Sequence, residues 1–370
     1  MSVIGIDRTG ERMTDFVELP WQIYPGKVRW VPPVRPSVTA ELSPENPFFR
    51  HGEAQAFLCE RDGVVVGRIV ASIDHQLVDH PDTGFFGYFE CIEDTAVANA
   101  LLAAAEGWLA ERGKRRIWGP INLGVLRGYR IQIQGFDTEP FLGEPRTPAY
   151  YRTLLEGAGY QVHARWNSWD IPTSKCRQVA WISWLNTLRH RLTRQGRRLR
   201  LAMLDFDHFE RDLARLHALA MGSYQKNFAI TAVDLQEFVH IFASSIAVRS
   251  ADLIRLGFIV DGDRDVAFAY GYADLAPGFI AMDGDPGRMG ALTQTPATAV
   301  VFHSFGVIPE YRRSGAAHML LAEAFGRIGD LGEQRVTGAL AKEGRTVYDR
   351  LGAPSRSYAV LEKCLVGPSP

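Results

Sequence analysis

One order of elements, written twice, constrains this chain more than any other feature of it. In the first half, "EAQAFLCERDG" and "VVVGRIVASID" read as two strands joined at Asp62-Gly63, a dipeptide suited to a hairpin turn. "GFFGYFECI" follows as a strand and "TAVANALLAAAEGWLAERG" as a helix, with Thr95 suited to the N-cap and Gly113 to the C-terminal stop. "RRIWGPIN", "PAYYRTLLEGAGY" and "QVHARWNSWDI" complete the half as strand, short helix and strand. From about Thr173 come a basic amphipathic helix, "RQVAWISWLNTLRHRLTRQG", a strand, "LRLAMLDF", and two helices, "HFERDLARLHALAMGSY" and "VDLQEFVHIFASSIAV". The first order then returns. "LIRLGFIVDGD" and "DVAFAYGYADL" form a hairpin, "TAVVFHSFGVI" a strand and "GAAHMLLAEAFGRIGDLG" a helix, before "RVTGALA", "GRTVYDRLGA" and "SRSYAVLEKCL" as strand, helix and strand.

A repeat of whole-domain size predicts two similar α/β (α+β) domains with mixed sheets, and 370 residues suffice for both. The boundaries read as 1–172 for the first domain, 173–206 for a connecting helix and strand, and 207–370 for the second. Segment 275–296, rich in glycine and proline, reads as a long loop, mobile or lid-like. Three tryptophans near the join, Trp169, Trp181 and Trp184, are expected to glue the domains together.

Composition excludes more than it selects. Hydrophobic residues make up 46% and charged residues 22%, the balance of a globular protein, and the formal net charge of −1 gives no argument for nucleic acid or membrane as a partner. No run approaches the ~18 apolar residues of a membrane span, and the N-terminus lacks the basic-then-apolar order of a signal peptide. Cys59, Cys91, Cys176 and Cys364 are scattered, so neither a metal site nor a disulfide framework is expected, and a cytoplasmic, reduced protein is. The basic stretch 189–200 has no interleaved aromatics and reads as a solvated helix face rather than a nucleic-acid surface. "DGDRD" at 261–265 begins like a calcium loop, but position twelve is Tyr272, so it reads as a hairpin turn.

The stretch that carries chemistry is "VIPEYRRSGAAHMLL". A strand runs through Phe305 and Val307 to Pro309, and a helix opens after Arg312, Arg313, Ser314 and Gly315. A helix N-terminus presents unsatisfied N–H groups and a positive partial charge, which bind anions. Gly315, Ala316 and Ala317 are small enough for a phosphate to approach the backbone, and the arginines add charge-assisted hydrogen bonds. The segment resembles the GNAT (Gcn5-related N-acetyltransferase) superfamily, whose acyl-CoA motif [Q/R]-x-x-G-x-[G/A] is met by Arg312, Gly315 and Ala317. "YDRLGA" resembles the Tyr-x-x-x-Gly element that opens the last helix of many members. The likeness covers roughly 250–367, with the two helices of 208–248 fitting the acceptor side. The chain as a whole resembles bacterial tandem GNAT-like proteins through "WVPPVRPSV", "NPFFRHGEAQAFLCERDG" and "FFGYFEC".

That resemblance implies, for each domain, a mixed, mostly antiparallel twisted sheet flanked by helices. It also implies acetyl-CoA or another acyl-CoA as co-substrate, no metal, and direct transfer to an amine of a small molecule or amino-acid-like metabolite. A pantetheine arm would lie along the backbone of Phe305 and Val307. Tyr348 would take the acid role; the alternative is a tyrosine packed on the sheet. The usual asparagine a few residues earlier is absent from "LAKEGRTVY". Imidazole has a suitable pKa, so His303 is one candidate base, against a satisfied core histidine; Glu343 is another. Tyr224 and Asn227 fall where the acceptor loop is expected, or form a plain interhelical turn. In the first copy Glu93 and Asp94 replace the two arginines and would repel a pyrophosphate, so that domain reads as a scaffold. Two other readings stay open. One is an acyl-carrier-protein donor docking on Arg312, Arg313 and 189–200; the other is a non-catalytic acyl-CoA-binding module. The oligomeric state is not given by the sequence.

Overall fold

The turn at Asp62-Gly63 sets the pattern of the whole structure. Both residues take left-handed backbone angles, φ 52° and 79°, as a two-residue hairpin requires. The computed structural model describes residues 1–24, 28–193, 198–246, 254–297, 299–330, 335–344, 348 and 352–365. Its first half runs β1 (Ser2–Ile6), α1 (Met13–Ile23), α2 (Arg35–Leu42), β2 (Gly52–Arg61), β3 (Val64–Asp74), β4 (Thr83–Cys91), α3 (Thr95–Glu111), β5 (Arg116–Gly119), β6 (Ile131–Gln134), α4 (Tyr150–Gly157) and β7 (Gln161–Ile171). The second runs α5 (Thr173–Arg191), β8 (Leu199–Met203), α6 (Phe209–Tyr224), α7 (Leu235–Ile246), β9 (Ile254–Asp261), β10 (Arg264–Ala273), α8 (Ala276–Met282), α9 (Ala291–Gln294), β11 (Ala299–Val307), α10 (Ala316–Asp330), β12 (Arg335–Lys342) and β13 (Arg356–Cys364). The helix expected over 344–353 lies largely outside the described residues.

The two copies are not separate sheets. Among the described residues one sheet runs β1-β2-β3-β4-β5-β13-β7-β12-β11-β10-β9-β8, with β6 beside β13. Only β4–β5 and β11–β12 pair in parallel; every other described pair is antiparallel. The order reads almost the same from either edge, and the final strands have changed places. β7, which ends the first copy, pairs with β12 of the second, while β13, which ends the second, pairs with β5 of the first. Cutting the chain at 172 therefore leaves each half's last strand beside the other half's sheet.

Buried charge holds that crossing. Arg356 at the start of β13 is fully buried and donates to both carboxylate oxygens of Asp170 at 2.9 Å and to Thr138 Oγ1 at 2.7 Å. Asp170 is itself exposed, so the charge that depends on this contact is the buried guanidinium, which has no water to return to. A second joint lies between the end of β2–β3 and α7. His51 bridges Asp74 (3.0 Å) and Glu237 (2.8 Å), and Arg127 reaches Glu237 at 3.0 Å.

Three readings of the sequence need correcting. Segment 275–296 is not a loose lid: it holds α8 and α9 and is latched to the first half. Trp21 Nε1 donates to Asp283 Oδ1 at 2.9 Å, and Arg35 N donates to Gly284 O at 3.1 Å. The tryptophans do not all join the domains. Trp169 is buried and stacks on Tyr348 at 5.0 Å, but Trp181 and Trp184 point to solvent. Finally, α3 is capped by Asp94 rather than Thr95, since the Asp94 carboxylate accepts from Ala96 N and Val97 N.

Candidate active site

β11 and β12 run side by side only from Ala299/Arg335 to Phe302/Gly338. Beyond that point each keeps its other neighbour. β11 stays with β10 as far as Val307, while β12 bulges at Leu340 (φ 56°) and follows β7 through Ala341 and Lys342. A gap opens between 303–307 and 339–342, bounded by backbone that no ladder pair crosses among the described residues. Gaps of this kind leave strand edges able to pair with an extended ligand.

At the outer end of the gap the chain turns through Pro309–Tyr311 into α10. Ser314 Oγ donates to Tyr311 O (2.8 Å) and accepts from Ala316 N (3.2 Å), and Gly315 takes φ 92°, where a side chain would be strained. Ser314, Gly315 and Ala316 are buried and Ala317 half-buried, while Arg312 and Arg313 are exposed, with no carboxylate paired to either among the described residues. The space over Gly315 is held by α5: a Cβ placed there would meet His190 Cβ and Cγ at 2.6 Å. His190 stacks on His318 with centroids 5.9 Å apart. α5 is thus one wall of the turn, a neighbour that the motif does not announce.

At the inner end lies His303, on the extra residue that shifts the β10–β11 register. The residue is exposed, and its ring lies 6.2 Å from that of Tyr270 and 6.0 Å from that of Tyr272. Withdrawal from bulk water, and then the charge of Arg130, lower its pKa to about 4, so the imidazole is neutral at physiological pH. Its Nδ1 lies 2.7 Å from Ser304 Oγ. Tyr224, at the end of α6, meets the Ser304 side chain and the Phe305 backbone, and burial pushes its phenol up to about 12. Tyr224, Ser304 and His303 therefore form one hydrogen-bonded file along β11.

The remaining sequence candidates are placed by their neighbours in the fold. Tyr348 is packed against Trp169 and Gly338, and burial, then the nearby Cys176, raises its pKa far above the ordinary phenol value. It therefore stays protonated at physiological pH. Glu343 is exposed at the end of β12, and Asn227 is exposed in the α6–α7 turn. The residue of that turn that reaches inward is Phe228, against Trp118 and Trp166.

Arg130 was invisible to pattern reading. It is 8% exposed, has φ 87°, and lies 3.5 Å from the Tyr129 ring centroid and 4.6 Å from that of Trp166. Its Nε is buried without a hydrogen-bond partner, and no carboxylate pairs with it among the described residues. Burial lowers its pKa well below the usual guanidinium value. A cation held there only by the Tyr129 hydroxyl and two ring faces is costly unless something anionic meets it. An apolar cleft lies between α10 and the sheet, lined by Leu201, Met203, Phe302, Leu320 and Ala324 among others. No three His, Cys, Asp or Glu side chains are grouped for a metal ion among the described residues.

The first copy repeats the parting strands but not the gap. β4 and β5 pair from Thr83/Arg116 to Phe85/Trp118, and then the chain itself fills the opening. Ile121 N donates to Phe86 O at 2.7 Å, and Asn122 Oδ1 accepts from Tyr88 N at 2.8 Å.

The whole chain is similar to a solved tandem GNAT protein from the clavulanic acid biosynthesis pathway, with a TM-score of 0.56 and 10% identity over 100% of this chain and 99% of that one. The chain has the tandem GNAT fold. Protein YghO of Escherichia coli is 28% identical over 243 residues, 64% of this chain and 61% of YghO. A protein of Caulobacter vibrioides named bacterial ceramide synthase is 38% identical over 165 residues, 43% of this chain and 42% of that protein. The chain thus spans less than two thirds of the length of either curated relative. No protein-family model matches the chain.

Proposed function

We propose that this tandem GNAT chain is an acyl-CoA-dependent N-acyltransferase whose working site is the gap in the second copy. The observation that carries this reading is the contrast just described: the β11–β12 gap is open and ends at a basic, glycine-bearing helix start, while its counterpart is filled. An extended pantetheine would pair with the free edge of β11 at Phe305 and Val307, with its pyrophosphate at Ser314–Ala317 near Arg312 and Arg313. The amine nitrogen attacks the thioester carbonyl carbon, an N–C bond forms, and the C–S bond breaks. The departing sulfur takes a proton and the amine loses one. His303, neutral and backed by Ser304 and Tyr224, is the candidate that relays the amine's proton to solvent, a pKa of about 4 being too low to keep it; Tyr348, held protonated, is the candidate donor to sulfur. Arg130 meets an anionic group on the acceptor, consistent with an amino-acid-like molecule.

A second reading gives the substrate a long hydrocarbon chain. The apolar cleft beside α10 favours it, and the similarity to a protein named bacterial ceramide synthase supports a lipid amine or long acyl group.

The test is a melting curve with CoA, acetyl-CoA and long-chain acyl-CoA at millimolar concentration, followed by turnover. A ligand bound to the native state raises Tm by mass action, so unchanged melting with every donor defeats the proposal. With an acceptor in hand, His303→Ala lowers kcat by roughly 10–100-fold. Arg130→Met raises the acceptor KM and leaves CoA affinity unchanged. Equal kcat in His303→Ala would remove that residue from the mechanism.

A further inference from the structure

Helix α5 is built the wrong way round for a helix on a protein surface. Its inward face, against α10, carries small side chains: Cys176, Ala180, Ser183 and Thr187. Its large apolar residues face out. Trp181 is 60% exposed, Ile182 46%, Trp184 45%, Leu185 45%, Leu188 41% and Leu192 75%. At helical spacing Trp181, Trp184, Leu185, Leu188 and Leu192 form one stripe, and the two indoles stack at 5.1 Å. Lys175 and Arg177 lie at the start of the helix, and Arg189 and Arg191 at its end. Arg200 follows on β8, Arg198 being paired with Asp261 at 2.8 Å, and from 173 to 200 the chain carries no aspartate or glutamate.

We infer that α5 docks the protein on an anionic lipid bilayer, lying in the plane of the interface. Indole and leucine side chains bury at the acyl boundary, tryptophan being favoured where one edge is apolar and the other wet, while the flanking cations meet acidic headgroups. No described helix is long and apolar enough to cross a membrane, so the geometry is that of a helix lying on the surface. A second copy of this chain is the poorer occupant, since it would bring two acid-free basic helices face to face. The inward side of α5 holds His190 over Gly315 and Cys176 beside Tyr348, so a docked bilayer would lie one helix diameter from the proposed donor site. The inference does not depend on the acyltransferase reading, because its readout is binding and not turnover.

Vesicle sedimentation with the full chain tests it, comparing phosphatidylglycerol/phosphatidylcholine mixtures with phosphatidylcholine alone, alongside tryptophan emission. Sedimentation with the anionic vesicles, a blue shift, and weakening by salt are expected. The triple variant Trp181→Ser/Leu185→Ser/Leu188→Ser, with unchanged circular dichroism and melting, loses roughly tenfold or more in lipid affinity, and Arg189→Glu loses part of it. Failure to sediment, equal binding to neutral vesicles, or full binding by the triple variant each overturns the inference. So does stripe-dependent self-association, or stripe-dependent capture of an acyl carrier protein, without vesicle binding.

Discussion

The two copies meet the same structural problem and settle it differently. In each, a strand parts from its parallel neighbour and a helix starts beyond the opening. In the first, Ile121 and Asn122 bond to β4 across the opening, and the Asp94 carboxylate caps α3. Strand edge and helix start are both satisfied from within the chain. In the second, the edge at 303–307 is left open, and the helix start has the neutral Ser314 accepting from Ala316 N, beside Gly315 and two exposed arginines. The comparison teaches that the fold creates a hydrogen-bonding deficit wherever those strands part, and the local sequence decides whether chain or ligand makes it good.

The largest expected effect tests whether the copies can be compared as parts of one sheet at all. Arg356→Ala removes a fully buried cation that holds Asp170 and lies beside Glu144, which keeps Arg146, and should cost about 3 kcal/mol in urea unfolding. The loss should come as one transition, because β13 is paired with both β5 and β7. Two separate transitions would mean that the copies stand independently and that the exchanged strands do not bind them.

Next comes the contrast at the helix starts. Arg312→Glu/Arg313→Glu should weaken CoA binding by roughly 100-fold in calorimetry, since two attractive charges become repulsive beside a pyrophosphate. Glu93→Arg, the mirror change in the first copy, should gain nothing, because Asp94 still caps α3 and Asn122 still fills the opening. Binding gained there would make charge alone, and not the open gap, the deciding difference.

Much of this was legible in the sequence, and the failures have physical causes. The hairpins at Asp62-Gly63 and Gly262-Asp263 were readable because turn chemistry is local, and so was the strand-to-helix turn at Ser314–Gly315. The exchange of β7 and β13 was not, because strands of one pattern can pair with either neighbour and only tertiary packing chooses. Arg130 gave no signal: an arginine between a tyrosine and isoleucines looks like any edge residue until burial strips its partners away. α5 was misread for a related reason. Two tryptophans suggest a packed face, yet Ala180, Ser183 and Thr187 do the packing because they let α10 approach closely. The N-terminal helices were missed as well: α1 contains Pro20 and α2 is only 8 residues long.

The joint between the copies should respond to alkali. His51, held between Asp74 and Glu237, has its pKa raised to about 9 by those two hydrogen bonds, with burial opposing. A raised folded-state value means the stabilisation is fully present below the unfolded value of about 6.5 and disappears as pH rises through about 9. Melting temperature should fall over that window by the equivalent of ~1–2 kcal/mol after solvent screening. His51→Gln should flatten the fall, and hydrogen exchange in α7 should locate it. A fall of equal size in the variant would place the titrating group elsewhere.

The smallest effect is the one most specific to the comparison. Asn122→Ala removes the side-chain acceptor that holds Tyr88 N, a residue with φ 50°, while the Ile121 bond to Phe86 remains. A half-buried amide left without its acceptor costs about 1–2 kcal/mol, so the chain should melt slightly earlier. CoA affinity and turnover in the second copy should not change, because nothing in the β11–β12 gap touches Asn122 among the described contacts. If the first opening is closed only by this bond, the variant should begin to bind a second equivalent of CoA, detectable as a change in calorimetric stoichiometry. An unchanged single equivalent is the expected result, since Asp94 still occupies the helix start. The first copy would then be closed twice over, once along its strand and once at its helix, and it would take the loss of both closures to make the two copies alike.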